Sequence, residues 1–295
     1  MWIILAIASA LGLGFYDISK KLSLKDNNVP AVLLLNTLFC ALLMLPVVAV
    51  KAAGGNWGMN NSLAGHGLIL IKSMIVLSSW LMGYFSIKHL PLTIAGPINA
   101  SRPVMVLVGA LLIFGERLNL LQWGGVGLGF FSLFFISRLG AREGFSFRHS
   151  KWLWISIGAA VMGAVSALYD KYLLQRFTPL EVQGWYAIYQ LIIMGVTMAV
   201  IMKAWHQPTM FRWKWSILFI SIFLTGADLC YFYALSQPDA MIAVVSMIRR
   251  GSVIVSFFYG VIFLHEKDVK AKTIDLCVLL IALGLLVAGS AAGSD

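Results

Sequence analysis

Charge is what this chain has least of. Asp, Glu, Lys and Arg make up 12% of its 295 residues, about half the share of a soluble domain, which excludes an ordinary water-soluble fold. Acidic residues are the scarcer sign, 12 against 22 Lys and Arg, for a net charge of +10. A basic balance can mark a nucleic-acid binder, but no basic tract here interleaves with aromatics, and the bases gather at the ends of apolar runs. No nucleic-acid partner is expected. Only three cysteines occur, Cys40, Cys230 and Cys277, each in a different apolar run. They offer no metal-ligand spacing and no disulfide framework, and read as small apolar residues. A phosphate-binding glycine loop, a zinc motif and a nucleophile elbow are all missing. No pair of residues supplies both nucleophile and base, so no catalytic residue, metal or cofactor is expected and the chain does not read as an enzyme.

What fills the space is hydrophobic, 60% of residues at a mean hydropathy of +0.87. A bilayer crossing needs about 20 apolar residues. Ten such windows can be marked, at residues 2–19, 31–50, 67–87, 92–114, 120–137, 152–174, 182–202, 215–235, 240–264 and 273–290. Short alternating segments of the β-barrel kind are not visible, so the fold class is an all-α integral membrane protein with ten transmembrane helices. The start of the chain is apolar, without a basic leader, and reads as the first span instead of a signal peptide.

The two halves echo each other. Tyr16-Asp17 closes the first span and Tyr169-Asp170 comes late in the sixth; Pro91 and Pro238 precede the fourth and ninth, and Glu116 and Glu266 follow them. The polar linker between them, residues 139–151, separates a repeat over 1–138 from one over 152–295. With the N-terminus outside, fourteen loop Lys and Arg fall on the cytoplasmic side and four opposite. The positive-inside rule thus places both termini on the non-cytoplasmic side. Five spans per half then make the repeats inverted.

Three arginines sit deep in apolar runs, Arg102 in the fourth and Arg249 and Arg250 in the ninth. An arginine at a helix centre costs roughly 2.5–3.5 kcal/mol on insertion scales and normally faces a bundle interior or a wet cavity. Helical spacing puts Ser246, Ser252 and Ser256 on the strip of Arg249, with Arg250 turned about 100° away. Asn99 shares a face with Arg102. Asp228, in the eighth span beside Thr225 and Tyr231, is either an ion-pair partner for an arginine or a proton-coupling group. Three arginines against one clear core acid leave surplus positive charge, which favours an anionic ligand. In the seventh span Gln183, Tyr186 and Gln190 share a face, with Tyr189 a step around. Trp80 and Tyr84 in the third span and Asn36 in the second complete the candidate substrate-binding set.

Other polar features have plainer readings. Tyr16-Asp17 and Tyr169-Asp170 read as helix-end anchors, Lys72 as a side chain snorkelling to the interface, and Glu116 and Glu266 as boundary residues. Gly125 and Gly129, with Gly284 and Ala288, make small-residue faces for close helix packing or for a homodimer contact.

Ten spans in two halves, with the stretches ALLIFGERL at 110–118 and YGVIFLHEK at 259–267, resemble the EamA-type permeases of the drug/metabolite transporter superfamily. The resemblance implies alternating access around a central substrate site, with the fifth and tenth spans peripheral. The paired Arg249-Arg250 and the base in span four also resemble the plastid phosphate translocators, in which such residues hold the substrate's phosphate. The expected function is a secondary transporter, exporter or exchanger, of a small organic anion or zwitterion in a bacterial inner membrane. The arginines would hold its carboxylate or phosphate. An exporter of amino acids or mixed toxic compounds gripped by aromatics is one alternative, and a protein binding or moving lipid headgroups is another. Expected partners are therefore a small-molecule substrate and membrane lipid.

Overall fold

The computed structural model describes residues 1–24, 27–54, 63–89, 98, 102–139, 151–204, 211–252, 255, 259 and 269–292. These form ten helices and, among the described residues, no strand. In chain order they are α1 (Trp2–Leu24), α2 (Val29–Ala53), α3 (Leu63–His89), α4 (Arg102–Ile113), α5 (Leu120–Leu139), α6 (Lys151–Leu174), α7 (Pro179–Ala204), α8 (Ser216–Leu235), α9 (Ile242–Arg249) and α10 (Val269–Ala292). Residues 140–150, most of the expected linker, lie outside the described residues. Over their described lengths α1, α2, α3, α6 and α8 are long and apolar enough to cross a membrane. Large apolar side chains such as Ile4, Val50, Leu112, Trp154 and Val200 point outward and exposed, a surface suited to lipid and unusual for a soluble monomer.

Polar side chains mark the helix starts. Asn28 Oδ1 accepts from the Ala31 N–H at 3.1 Å. Asn119 and Gln122 cap each other at α5, at 2.9 and 3.0 Å, and the Glu181 carboxylate accepts from the Thr178 N–H at 2.7 Å at α7. Each bond satisfies a donor that a helix terminus otherwise leaves open. At the end of α4, Gly115 takes a left-handed φ of 62°. The chain turns there so that the Glu116 N–H reaches back to the Ala110 carbonyl at 3.3 Å, a closure only glycine makes without strain.

The packing is two-fold in kind. α1 runs along α8 and α3 along α6; α2 meets α7 and α8, and α3 meets α7; α4 lies on α6 and α1 on α9; α4 meets α9, and α5 meets α10. Exchanging each helix for the one five places away turns these pairings into themselves. The central element is α9, whose Ile242, Ala243, Val244, Val245, Met247 and Ile248 are all buried. The small-residue faces are used within the chain. A Cβ at Gly125 would lie 2.8 Å from the Ala282 carbonyl and from Leu286 of α10, and one at Gly129 would lie 2.9 Å from Met247 sulfur. A Cβ at Gly284, by contrast, would meet nothing within 4 Å.

The ninth span departs from expectation. Its apolar run is continuous, but α9 stops at Arg249, Arg250 and Gly251 form a turn, and helix is recorded again at Ser252. The break is a local tightening. The Arg250 N–H bonds Met247 at 3.0 Å and the Gly251 N–H bonds Ile248 at 2.8 Å, replacing i→i+4 bonds with i→i+3 ones.

Candidate functional site

α1, α3, α4, α6, α7, α8 and α9 together line a cavity of about 480 Å³, the size of a small-molecule site. The break after α9 decides part of its chemistry. On an unbroken helix the two arginines would diverge by about 100°; across the turn, Arg249 and Arg250 both line the cavity, as do Ser246 and Ser252. Arg102 lines it from the first turn of α4, and Trp80, Tyr186 and Asp228 contribute from α3, α7 and α8.

Five basic side chains, Lys20, Lys72, Arg102, Arg249 and Arg250, face three acidic ones, Asp17, Asp170 and Asp228. Two pairs are explicit. Arg249 Nη2 donates to Asp228 Oδ1 at 2.8 Å, and its guanidinium stacks 3.9 Å from the Tyr231 ring centre. Lys72 Nζ bonds Asp170 Oδ1 and lies 4.5 Å from the Tyr186 ring centre and 4.9 Å from that of Phe232. Asp17 shares its field with Lys20 and Arg250.

The other two arginines have no ion pair among the described residues. Arg102 Nη2 donates to the Ala159 carbonyl at 3.2 Å and to Ser79 Oγ at 3.3 Å, while its Nε is buried without a partner. Its guanidinium stands where Gly163 has no side chain; a Cβ there would lie 2.6 Å from Arg102 Cζ. Arg250 is close enough to feel the charges of Arg102 and Arg249 and, in the opposite sense, that of Asp17. The cavity lining therefore carries two more basic side chains than acidic ones, and Arg102 has no carboxylate facing it among the described residues.

A crevice of about 20 Å³ adjoins this cavity and shares Trp80, Tyr186, Leu224 and Asp228 with it; its remaining wall includes Asn36, Gln183 and Gln190. Both side-chain atoms of Gln190 and Oε1 of Gln183 are buried there without hydrogen-bond partners. Asn36 Oδ1 accepts from Ser221 Oγ at 3.0 Å. Tyr189 lines neither space, since its hydroxyl pairs with His66 Nδ1 at 2.8 Å and its ring stacks on Trp185. Asn99, Ser256, Glu266 and the side chain of Tyr84 lie outside the described residues.

Three residues with plain sequence readings have a larger part. Lys72 does not snorkel: it is 2% exposed and tied to Asp170. Asp170 is no surface anchor, at 6% exposure, whereas its echo Asp17 is exposed at the cavity wall. Glu116 is a fastener. Its carboxylate accepts from the N–H groups of Ile242 and Ala243 at 2.6 and 3.2 Å, and from Lys171 Nζ at 2.8 Å. Lys171 also donates to the Ala240 carbonyl at 2.5 Å. The Tyr-Asp echo in the sequence was the signal that these helix ends carry more than anchoring.

Beyond Asp170 the Glu116–Lys171 fastener ties the ends of α4 and α6 to the start of α9. A crystal structure superposes on the chain with a TM-score of 0.73 at 15% identity, over 99% of this chain and 96% of the other, a likeness of fold. A protein described as an uncharacterized transporter in the cobO 3' region of a Sinorhizobium species is 24% identical over 127 residues, 42% of this chain and 88% of that one. The sequence profile of the EamA-like transporter family matches twice, over residues 1–138 and 150–289. With both halves matched and a ten-helix fold around a central cavity, the chain belongs to the EamA-like transporter family.

Proposed function

We propose that this transporter carries a small organic anion or zwitterion by a secondary, alternating-access cycle, and that the cavity is its substrate site. One observation carries the reading. Arg102 and Arg250 line the cavity without a direct ion pair among the described residues, Arg250 having only the more distant charge of Asp17, and guanidinium groups pair with carboxylate or phosphate through forked hydrogen bonds. The halves 1–138 and 152–295 would rock about that site. In a bacterial inner membrane with both termini outside, the Lys20 end of α1 would be the cytoplasmic one.

A grip by aromatic rings is the weaker alternative. Tyr186 and Phe232 already face Lys72, and Tyr231 faces Arg249. Arg249 is spoken for by Asp228, so its role is to hold α8 against α9.

The test is counterflow in proteoliposomes against a panel of phosphates and carboxylates. A hydrogen bond to a charged group is worth about 1.5–3 kcal/mol, so Arg250→Gln and Arg102→Gln should each cut anion counterflow about tenfold or more. Lys203→Gln, on an exposed residue, should leave it intact. Full counterflow in a folded Arg250→Gln protein would rule the reading out. Phospholipid that co-purifies stoichiometrically, with no soluble-anion flux, would favour a lipid headgroup as the ligand.

A further inference from the structure

We infer that the crevice behind Trp80 and Asp228 is a specificity subsite for a neutral hydroxyl on the transported anion, so that hydroxy-substituted acids are selected over their deoxy analogues. The inference rests on the anion reading above and adds the second group by which the substrate is recognised. Its space, about 20 Å³, is enough for about one water-sized group. That excludes a second carboxylate or phosphate. A second anion would also stand beside Asp228, which forms part of the same wall.

The hydrogen-bonding character of the wall points the same way. Gln190, 3% exposed, offers an unmatched donor and an unmatched acceptor, and Gln183, 2% exposed, an unmatched acceptor. A hydroxyl both donates and accepts, so it satisfies this set in either orientation of the amides. An ammonium group only donates and would face Gln190 Nε2; a methyl group would leave every one of these atoms unmatched. Buried amides left unmatched are costly, and sites built to bond a substrate hydroxyl discriminate strongly against its absence. Trp80, Tyr186, Leu224 and Asp228 border both spaces, and on this proposal one small ligand has its anionic group at Arg102 and Arg250 and its hydroxyl among the glutamines.

The experiment compares malate with succinate, and lactate with propionate, by thermal stabilisation and counterflow of the full-length protein. The wild type should bind the hydroxylated member of at least one pair at least about tenfold more tightly. Gln190→Leu should bring that ratio close to one. Gln183→Leu, scored independently in case the first variant does not fold, should lower it as well. A ratio is read because a merely structural defect moves both members together. Binding of both members without preference means the crevice takes only water, and overturns the inference while leaving the anion reading standing. Preference unchanged in both folded variants overturns it too. No binding of any of the four acids overturns it, and if inorganic phosphate also fails to stabilise the wild type, the anion reading falls with it.

Discussion

At the scale of single residues, the position of Arg102 is set by an atom its neighbour does not have. Gly163 leaves the slot in which the guanidinium lies, since a Cβ would stand 2.6 to 2.9 Å from Cζ, Nε and Nη1. Ser79 and the Ala159 carbonyl then fix one edge of the fork. Gly163→Ala should leave α6 intact or slightly firmer, because alanine is the better helix former by about 1 kcal/mol. It should nevertheless displace Arg102 and weaken anion binding about tenfold. Thermal stabilisation by inorganic phosphate, titrated against both proteins, checks this; unaltered phosphate affinity would mean that Arg102 does not contact the anion. The depth of Arg102 was legible in the sequence because an arginine interrupting an apolar run is an energetic anomaly. Gly163 was not, since one glycine among the small residues of span six gives no sign of which side chain crosses it.

Between elements, the Lys72–Asp170 pair ties α3 to α6 within the layer of the cavity. Its side chains are 3% and 8% exposed, so removing one partner strands a buried charge, a loss of about 3–5 kcal/mol. Lys72→Met should lower the unfolding midpoint sharply, whereas Lys72→Met with Asp170→Asn should recover most of the loss, because two neutral groups leave no charge unmatched. A double-mutant cycle from denaturant unfolding in detergent reads the coupling; additive losses would show that the two charges do not act as a pair. The helices themselves were largely legible. The expected ends of spans six and eight lie within one residue of α6 and α8, because apolar length and turn residues set them locally. The interruption of span nine was not legible, because hydropathy counts side chains and is blind to a change from i→i+4 to i→i+3 bonds. Nor was the depth of Asp170, which depends on α3 crossing 98 residues away in sequence.

Across the whole molecule, parts that the sequence repeats sit in different surroundings. Asp17 and Asp170 are echoes on α1 and α6, yet the first is exposed at the cavity and the second is 6% exposed. On the proposed alternating-access cycle, two equivalent ends in unequal environments are what a state open at one side and shut at the other would present. The side that would then be shut is the one where Glu116 joins the end of α4 to the N-terminus of α9 and to Lys171 of α6. A carboxylate on the first N–H groups of a helix is favoured by hydrogen bonding and by the helix dipole together. Each such charge-assisted bond contributes about 1.5–3 kcal/mol, and 1.4 kcal/mol is tenfold in an equilibrium. Glu116→Ala should therefore shift the protein at least about tenfold toward opening on the α4 side. Ala243 reports that opening, being 3% exposed while the fastener is closed. In a background with Cys40, Cys230 and Cys277 replaced, Ala243→Cys should react slowly with a membrane-impermeant thiol reagent, and markedly faster once Glu116→Ala is added. The same variant should bind anion more weakly from the opposite side, that of Asp17 and Lys20, because fewer molecules then present that face. A folded double variant whose thiol stays as slow as in the single one would mean that the closure is held by the apolar packing of α9, with Glu116 acting only as a helix cap.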